Sequence, residues 1–548
     1  MSSLKIKIPI ITKLLNKRAR NRLRVINKGY RQLKIESRLD FLMGLRNTLS
    51  RTRLGKSDSL IALSGRVNFD VDLSVRQYLT SYILGLLFNK SVLYSIGSKK
   101  PLSYPLPRQW RDALSNQGIK VNNFRSALLW RAYGFLFFAR GVWLGLQGVY
   151  FLLTGSSNLK RHVCFDNIDR KCFSQSSNQH NIVNWYLQWK GKIKEIDSIC
   201  HGVNGKGDFQ IGTVSVTQTD GLPKLKGIKL FQYVTFAVYA SIYSFIRLPF
   251  SPIYSFFLEE LLKLKRVSLA MDKDLAKDYL FHNSLPFYCP IWTYSLEERG
   301  SRVILYFYSA NIENFKVGGN HSVQNPWHLL TWPHYLVWDE WQADYVKRFA
   351  QGSPVIECVG PIWFSSVGIN EDVALNSIAV FDVTPNRAAR YIYLGSDYEY
   401  YIPNIVNQFL NDIQEALMQN NYIMVHKMKR THPYAHKKYN HNIQVLKEKS
   451  NCRQAHPDSD ATQLIQKTVA TISMPFTSTA IIAKQEGKPS VYYDPSGMVQ
   501  KVDGAAHDIP ILSGIDELKE WVEILALREK HTFDGLSSHS NQLWIRQG

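Results

Sequence analysis

Short apolar runs rich in β-branched and aromatic residues alternate along this chain with longer stretches whose apolar residues fall at helical spacing. In the first half the runs Ser59–Ser64, Ser91–Ile96, Val163–Asp166, Arg302–Tyr308, Tyr335–Val337 and Ser353–Gly360 predict strands. Helices are predicted over about Leu73–Phe88, Trp110–Gln117, Arg125–Leu153 and Phe231–Leu264, and in the WTYSLEERG stretch that Gly300 stops. The second half repeats the alternation. Strands are predicted at Ser377–Val383, Tyr422–Lys427, Val469–Met474 and Ser490–Tyr493, with helices at Ile405–Met418 and Glu517–Leu527. Strand and helix taking turns implies doubly wound α/β architecture. The polar link around residues 361–376 divides it into an N-terminal α/β domain (58–365) and a C-terminal one (366–548), preceded by an extension over 1–57.

One unit within this pattern is more specific, Thr468–Gly497. Val469–Met474 reads as a strand that Pro475 ends, because proline cannot donate to a sheet ladder. Thr477, Ser478 and Thr479 are N-cap residue types, a helix follows through Lys484, and Gly487 closes it. A helix front with hydroxyls and unpaired N–H groups suits a phosphate. The same pattern also describes an ordinary crossover whose hydroxyls only cap the helix.

Composition narrows the class. With 548 residues, 45% hydrophobic and 20% charged, the chain is a folded protein long enough for two or three domains. The net charge is +23, and residues 1–60 hold about 16 Lys and Arg against 3 Asp and Glu. From about Ile11 this segment predicts a basic amphipathic helix, suited to an anionic membrane surface. No glycine-rich RNA-binding signature, zinc finger or basic recognition helix accompanies the charge, so nucleic acid is not the expected partner. The six cysteines are scattered without C-x-x-C spacing, which points to reduced thiols in a cytoplasmic protein. The apolar stretches Phe135–Thr154 and Phe231–Ile246 are too interrupted or too short to span a bilayer, and buried or interfacial helices are expected there.

Candidate chemistry collects in the C-terminal half. Lys427, Lys429, Arg430 and His432 follow the strand Tyr422–Lys427, on the edge where such sheets bind ligands. Converging cations without acidic neighbours suit a diphosphate, or a phosphate with a carboxylate. Thr477, Ser478 and Thr479 open on the same edge, and Glu486 at the end of their helix is a candidate for ribose hydroxyls. Group transfer at a sugar needs a carboxylate or histidine near the anomeric carbon. Glu297, Asp339 and Glu340 in the first half, and Asp382 at the end of the second domain's first strand, are the candidates.

The basic strand end with an HP dipeptide, KRTHP at Lys429–Pro433, and the later SMPFTSTA at Ser473–Ala480 resemble motifs of bacterial GT-B glycosyltransferases that use CMP-activated acidic sugars, the sialyltransferase-like and Kdo-transferase-like enzymes of surface polysaccharide assembly. The resemblance covers mainly residues 377–515. It implies two Rossmann-like domains facing across a cleft, with Lys429, His432 and Pro433 at the cytidine nucleotide and Ser478 and Thr479 at the phosphate. It implies transfer of a Kdo- or nonulosonate-like sugar from a CMP donor to a glycan or lipid-linked glycan at the inner membrane face, where the protein would be peripheral. Teichoic-acid glycerophosphotransferases, which use CDP-glycerol, have a similar pair of motifs. The triplets Asp70–Asp72, Asp272–Asp274 and Asp458–Asp460 do not end a core strand of the donor half, so metal-independent chemistry without a cofactor is expected. The alternative from another class is a non-enzymatic basic protein that binds membrane or nucleic acid.

Overall fold

The computed structural model describes residues 9–33, 38–55, 63, 69–154, 163–166, 182–189, 198–201, 209–211, 214–218, 222–283, 287–307, 309, 312–313, 315–316, 326–362, 371–385, 400–428, 435–457, 459–475 and 477–533. The chain forms two compact units. The first comprises residues 1–310, 323–366 and 388–396, and the second 311–322, 367–387 and 397–548.

The first unit opens with helices: α1 (Pro9–Gln32), α2 (Arg38–Arg51), α3 (Val71–Tyr82), α4 (Leu86–Ser98), α5 (Arg108–Asn116) and α6 (Asn123–Thr154). Two expectations fail here. Ser91–Ile96 is part of α4, because Phe88, Val92 and Leu93 form a buried stripe at helical spacing and not an alternating one. The helix expected over Leu73–Phe88 is two helices, separated where Gly85 turns extended. The strand expected at Ser59–Ser64 lies outside the described residues except for Leu63, which is helical.

The basic extension is helical, as its pattern predicts, and α1 is docked. Ile26, Gly29 and Tyr30 are buried, while Arg18, Arg20, Arg22 and Arg24 remain exposed. α1 meets α4 backbone to backbone: a Cβ on Gly97 would stand 2.0 Å from the Val25 carbonyl oxygen, and one on Gly29 would stand 2.0 Å from that of Leu93.

The sheet of this unit comprises β1 (Val163–Asp166), β2 (Ser198–His201), β3 (Phe209–Ile211), β4 (Val214–Gln218), β5 (Asp278–Asn283), β6 (Arg302–Phe307), β7 (His334–Val337) and β8 (Val355–Cys358). The order is β3-β4-β2-β1-β5-β6-β7-β8, with every pairing parallel except β3 with β4. The intervening helices are α7 (Ile182–Trp189), α8 (Ile228–Arg247), α9 (Ile253–Leu269), α10 (Ile291–Glu298) and α11 (Glu340–Phe349). The single helix expected near Phe231–Leu264 is α8 and α9, broken where Pro249 and Pro252 lack the N–H that would continue it. α6 lies close along α9, since Cβ atoms on Gly134 and Gly145 would come within 2.7 and 2.8 Å of Pro252 and Leu262 side-chain carbons. Among the described residues no helix is long and apolar enough to cross a membrane.

A buried anchor ties β5 to its neighbours. Asp278, fully buried, accepts from Arg302 Nε at 2.7 Å and Nη2 at 2.5 Å, and from the Tyr186 hydroxyl at 2.5 Å. Both carboxylate oxygens are thus satisfied, the condition under which a charge is tolerated in a core.

The second unit contains β9 (Ser377–Phe381), α12 (Pro403–Gln419), β10 (Ile423–Lys427), α13 (Lys437–Lys447), β11 (Cys452–Gln454), α14 (Ala461–Lys467), β12 (Ala470–Ser473), α15 (Thr479–Gln485), β13 (Ser490–Asp494), β14 (Ile511–Ser513) and α16 (Ile515–Phe533). Its strands are all parallel, in the order β11-β10-β9-β12-β13-β14. Counted along the chain this is 3-2-1-4-5-6, the order of dinucleotide-binding sheets. In the first unit the parallel strands run outward in the same sense from β1 and β5. The two-domain Rossmann-like α/β architecture expected from the sequence is therefore present.

Candidate functional site

In a sheet of order 3-2-1-4-5-6 the winding reverses between strands 1 and 4, and the loops leaving those strands splay apart. Here they are β9 and β12. Lys427, Phe381 and Ser473 form one row across the ends of β10, β9 and β12. Beyond that row the Met474 N–H donates to the Phe381 carbonyl at 2.9 Å, then Pro475 releases the chain into the turn ending at Ser478.

The hydroxyls of this turn do less capping than the sequence pattern implied. Ser478 is the N-cap of α15, but its side chain makes no capping bond. Thr477 is buried and donates to the Met474 carbonyl at 2.7 Å. Thr479 meets Ser473 Oγ at 2.9 Å and donates to Thr477 Oγ1 at 3.3 Å. The Tyr492 hydroxyl holds the Thr477 carbonyl at 3.0 Å, and Tyr401 reaches the Pro475 carbonyl at 3.4 Å. These bonds set the shape of the turn and leave Ser478 and Thr479 half-buried at its surface. α15 has only seven residues, so the turn's own N–H and O–H groups matter more here than a helix dipole.

Asp382 follows β9 directly and is 2% exposed. Its Oδ2 accepts from the Tyr439 hydroxyl at 2.6 Å, and His426 Nε2 stands 3.3 Å away, off the line of a hydrogen bond. Its Oδ1 has no hydrogen-bond partner among the described residues. Gln454 Nε2 lies 3.2 Å from His426 Nδ1, which extends the cluster to β11. Burial and the neighbouring carboxylate push the Tyr439 phenol well above its ordinary range, so it remains a donor. Lys427 is buried and its Nζ donates to the Pro457 carbonyl at 3.2 Å. The His456–Pro457 dipeptide, with no basic strand end before it in the sequence, thus lies at the same sheet edge. The loop there is tied to Glu371, which accepts from the His456 N–H at 2.7 Å and from the Ser459 hydroxyl. Those two bonds hold its carboxyl below the usual range.

The second unit therefore brings Asp382, Lys427, Thr477, Ser478 and Thr479 to one edge. Glu486 closes α15 at the opposite, amino edge, exposed and bonded to Gln466 at 2.8 Å. Lys429, Arg430, His432 and Pro433 lie outside the described residues. In the first unit, Asp339 and Glu340 sit at the carboxyl end of β7. Asp339 caps α11 by accepting from the Gln342 N–H at 2.9 Å, and Glu340 accepts from the Cys358 thiol at 3.2 Å. That thiol is pushed up to about 12 by burial and then by Glu340. Glu297 ends α10 at the amino edge, its carboxyl raised by burial and by Glu298.

The aspartate triplets have structural employment. Asp70 caps α3, Asp72 pairs with Arg76 at 2.9 Å, Asp272 accepts from Arg299 at 2.7 Å, and Asp460 caps α14. Asp494, at the end of β13, forms a turn: Oδ1 accepts from the Ser496 N–H at 3.0 Å, and Tyr400 and Val499 complete its shell. The partners of Asp382 went unseen, since Tyr439 and His426 carry no signal that distinguishes them from ordinary core residues.

Comparison with known proteins gives one family match and a set of loose structural overlaps. No curated protein matches the chain. Among solved structures, the α,α-trehalose-phosphate synthase (UDP-forming) from Burkholderia vietnamiensis overlaps with a TM-score of 0.32 and 9% identity, over 68% of this chain and 91% of that one. Medicago truncatula UGT71G1 complexed with UDP-glucose overlaps at 0.33 and 8%, over 67% and 90%. The Methanocaldococcus jannaschii UDP-GlcNAc 2-epimerase overlaps at 0.27 and 10%, over 50% and 74%. At such scores nothing about a ligand carries over to this chain. The family described as polysaccharide biosynthesis PFTS motif protein matches residues 235–522. That span exceeds half of the chain and contains Pro475-Phe476-Thr477-Ser478 at the switch point, and on this match the chain belongs to the polysaccharide biosynthesis PFTS motif family.

Proposed function

We propose that this protein is a glycosyltransferase of polysaccharide assembly that holds its nucleotide-sugar donor at the β9/β12 switch point of the second unit. The observation that carries the reading is the position of the family's motif: Pro475–Ser478 occupies the one place on a 3-2-1-4-5-6 sheet where loops part to admit a nucleotide. The Ser478 hydroxyl and the turn's N–H groups face the donor phosphate, with Thr479 bracing the turn from Ser473 and Thr477. Lys427, with Lys429 and Arg430 beyond it, supplies the positive charge that a departing phosphate needs. In the transfer, the acceptor hydroxyl oxygen bonds to the anomeric carbon as the bond from that carbon to the phosphate oxygen breaks. The nucleotide leaves with that electron pair, and the hydroxyl proton passes to a base. Asp382 serves better as a holder of donor hydroxyls through Oδ1 than as that base, because Tyr439 already occupies its other oxygen.

The resemblance of KRTHP and SMPFTSTA to CMP-sugar enzymes favours a cytidine nucleotide carrying an acidic sugar, and a surface or lipid-linked glycan as acceptor. A thermal-shift panel of CMP, CDP, UDP and GDP tests this. A ligand at a hundred times its Kd adds about 2.7 kcal/mol of stability, so CMP is expected to raise Tm most. Ser478→Ala removes a hydroxyl that does not cap α15, and is expected to weaken CMP binding about fivefold. A CDP preference transfers the reading to the glycerophosphotransferase class. No shift with any nucleotide refutes the donor site.

A further inference from the structure

The outer faces of α6 and α8 carry apolar side chains where water-facing helices carry charge. The two helices lie antiparallel: the Phe138 and Phe245 rings are 5.6 Å apart, Arg131 Nε donates to the Pro249 carbonyl at 2.8 Å, and Leu152 packs with Leu225 and Tyr233 at the other end. Their inner sides pack on α9 through Gly134, Gly141 and Gly145 of α6 and Ala240 of α8. Their outer sides expose Leu136, Trp143, Leu146 and Tyr150 on α6, with Ile242 and Phe245 on α8. More than half of the exposed large apolar side chains among the described residues lie on these two helices. A surface of that extent marks a place that does not face water.

Charge identifies the occupant. Neither helix contains an aspartate or glutamate. Cations stand at both ends of the pair: Arg125, Arg131 and Arg247 at one, Lys224, Lys226 and Lys229 at the other. Between them, Arg140 is the only charge on either helix, and it is paired with Glu259 of α9 at 3.2 Å. An uncharged strip with aromatic residues in it and cations at its margins matches a bilayer whose headgroups are anionic. The helices are about 48 and 30 Å long, and each has one side committed to α9, so they lie in the membrane plane instead of crossing it. The exposed Tyr82 ring, 6.4 Å from that of Phe137, continues the strip toward Leu86 and Leu87.

We propose that the outer face of the α6–α8 pair seats the protein on an anionic membrane as a monotopic anchor, in place of the basic α1, whose apolar residues Ile26 and Tyr30 are already packed on the body. This does not depend on the donor site, and vesicle binding is measured separately from nucleotide binding.

The test is flotation of the purified full chain with vesicles of phosphatidylcholine alone and of phosphatidylcholine mixed with phosphatidylglycerol. The wild type is expected to float with the anionic vesicles and to resist high salt in part, because apolar burial is not screened. Combined Leu146→Glu and Ile242→Glu changes residues that are 60% and 56% exposed, so folding persists, and the vesicle-bound fraction falls about tenfold or more. Leu375→Glu, 90% exposed in the second unit, leaves flotation unchanged. Arg18→Ser with Arg20→Ser reduces it by no more than about twofold. The proposal is overturned if the wild type remains in the lipid-free fraction or the glutamate pair floats as the wild type does. It is also overturned if light scattering finds a dimer that the glutamate pair splits, since a second copy would then be the occupant.

Discussion

Replacing Gly97 by alanine probes whether α1 is part of the body or a loosely held arm. The added methyl carbon would lie 2.0 Å from the Val25 carbonyl oxygen and 2.7 Å from the Gly29 nitrogen, both backbone atoms that no rotamer change can move. An ordinary carbon–oxygen contact is more than an ångström longer, so the two helices must separate by about that much. Forcing packed elements apart costs about 1–3 kcal/mol. Against it stands the burial of Ile26 and Tyr30, about 1.5–3 kcal/mol each when the area is counted in full. The two ranges overlap at their ends, so Gly97→Ala is expected to lower stability by about 1–3 kcal/mol while α1 remains mostly docked, and Gly97→Ile, with three further carbons in the crossing, is expected to release it. Urea denaturation measures the first change. Limited trypsin digestion reports the second, because Arg18, Arg20, Arg22 and Arg24 are exposed on a helix that resists cleavage only while it is held. Gly44→Ala on α2, where nothing lies within 4 Å of the new carbon, is the control and should be neutral or stabilise by up to about 1 kcal/mol. If Gly97→Ala matches Gly44→Ala in both assays, the close crossing of α1 and α4 is wrong.

Two further outcomes follow from the first unit's core. Asp278→Ala strands Tyr186 and the Arg302 guanidinium and is expected to cost about 3–5 kcal/mol in urea denaturation, against about 1 kcal/mol for Tyr186→Phe, which leaves the aspartate its two bonds to Arg302; equal losses would deny Asp278 its organising part. Burial, then the Arg51 and Arg76 charges, pushes the His328 imidazole down to about 4, so its contribution is whole above the unfolded value of about 6.5 and is lost as pH falls from there toward 4. One proton limits the slope to about 1.4 kcal/mol per pH unit and the ring's partial exposure lowers it further, and His328→Gln should flatten the acid side of the stability profile; parallel profiles for variant and wild type would refute it.

The switch-point turn was readable because its signals are neighbours in the chain. Pro475 stops a strand and three hydroxyl residues follow within four positions, so the break was visible from composition alone. What those hydroxyls do was not. Thr477 and Thr479 are spent on Met474 and Ser473, contacts that depend on how tightly the turn closes. Asp382 was picked out by its place at a strand end, but its partner Tyr439 is 57 residues away on α13, and no local pattern announces that pairing. Strands β2 to β4 were missed for a related reason: they are three to five residues long and carry Ser, Thr, His and Gln, so their strand character comes from the neighbours they pair with.

Periodicity and turn chemistry act over one or two turns of chain, and by themselves they determined the alternation of strands and helices, the α/β class, the helical nature of the basic extension and the position of the PFTS turn. The 3-2-1-4-5-6 order, the Gly29–Gly97 crossing, the break between α8 and α9 seating both on α6, and the choice of which apolar faces are left outward were decided by tertiary structure. Each depends on the distance between residues tens to hundreds of positions apart. A helix apolar on every side, such as α6, does not carry in its own sequence which side a neighbour will cover.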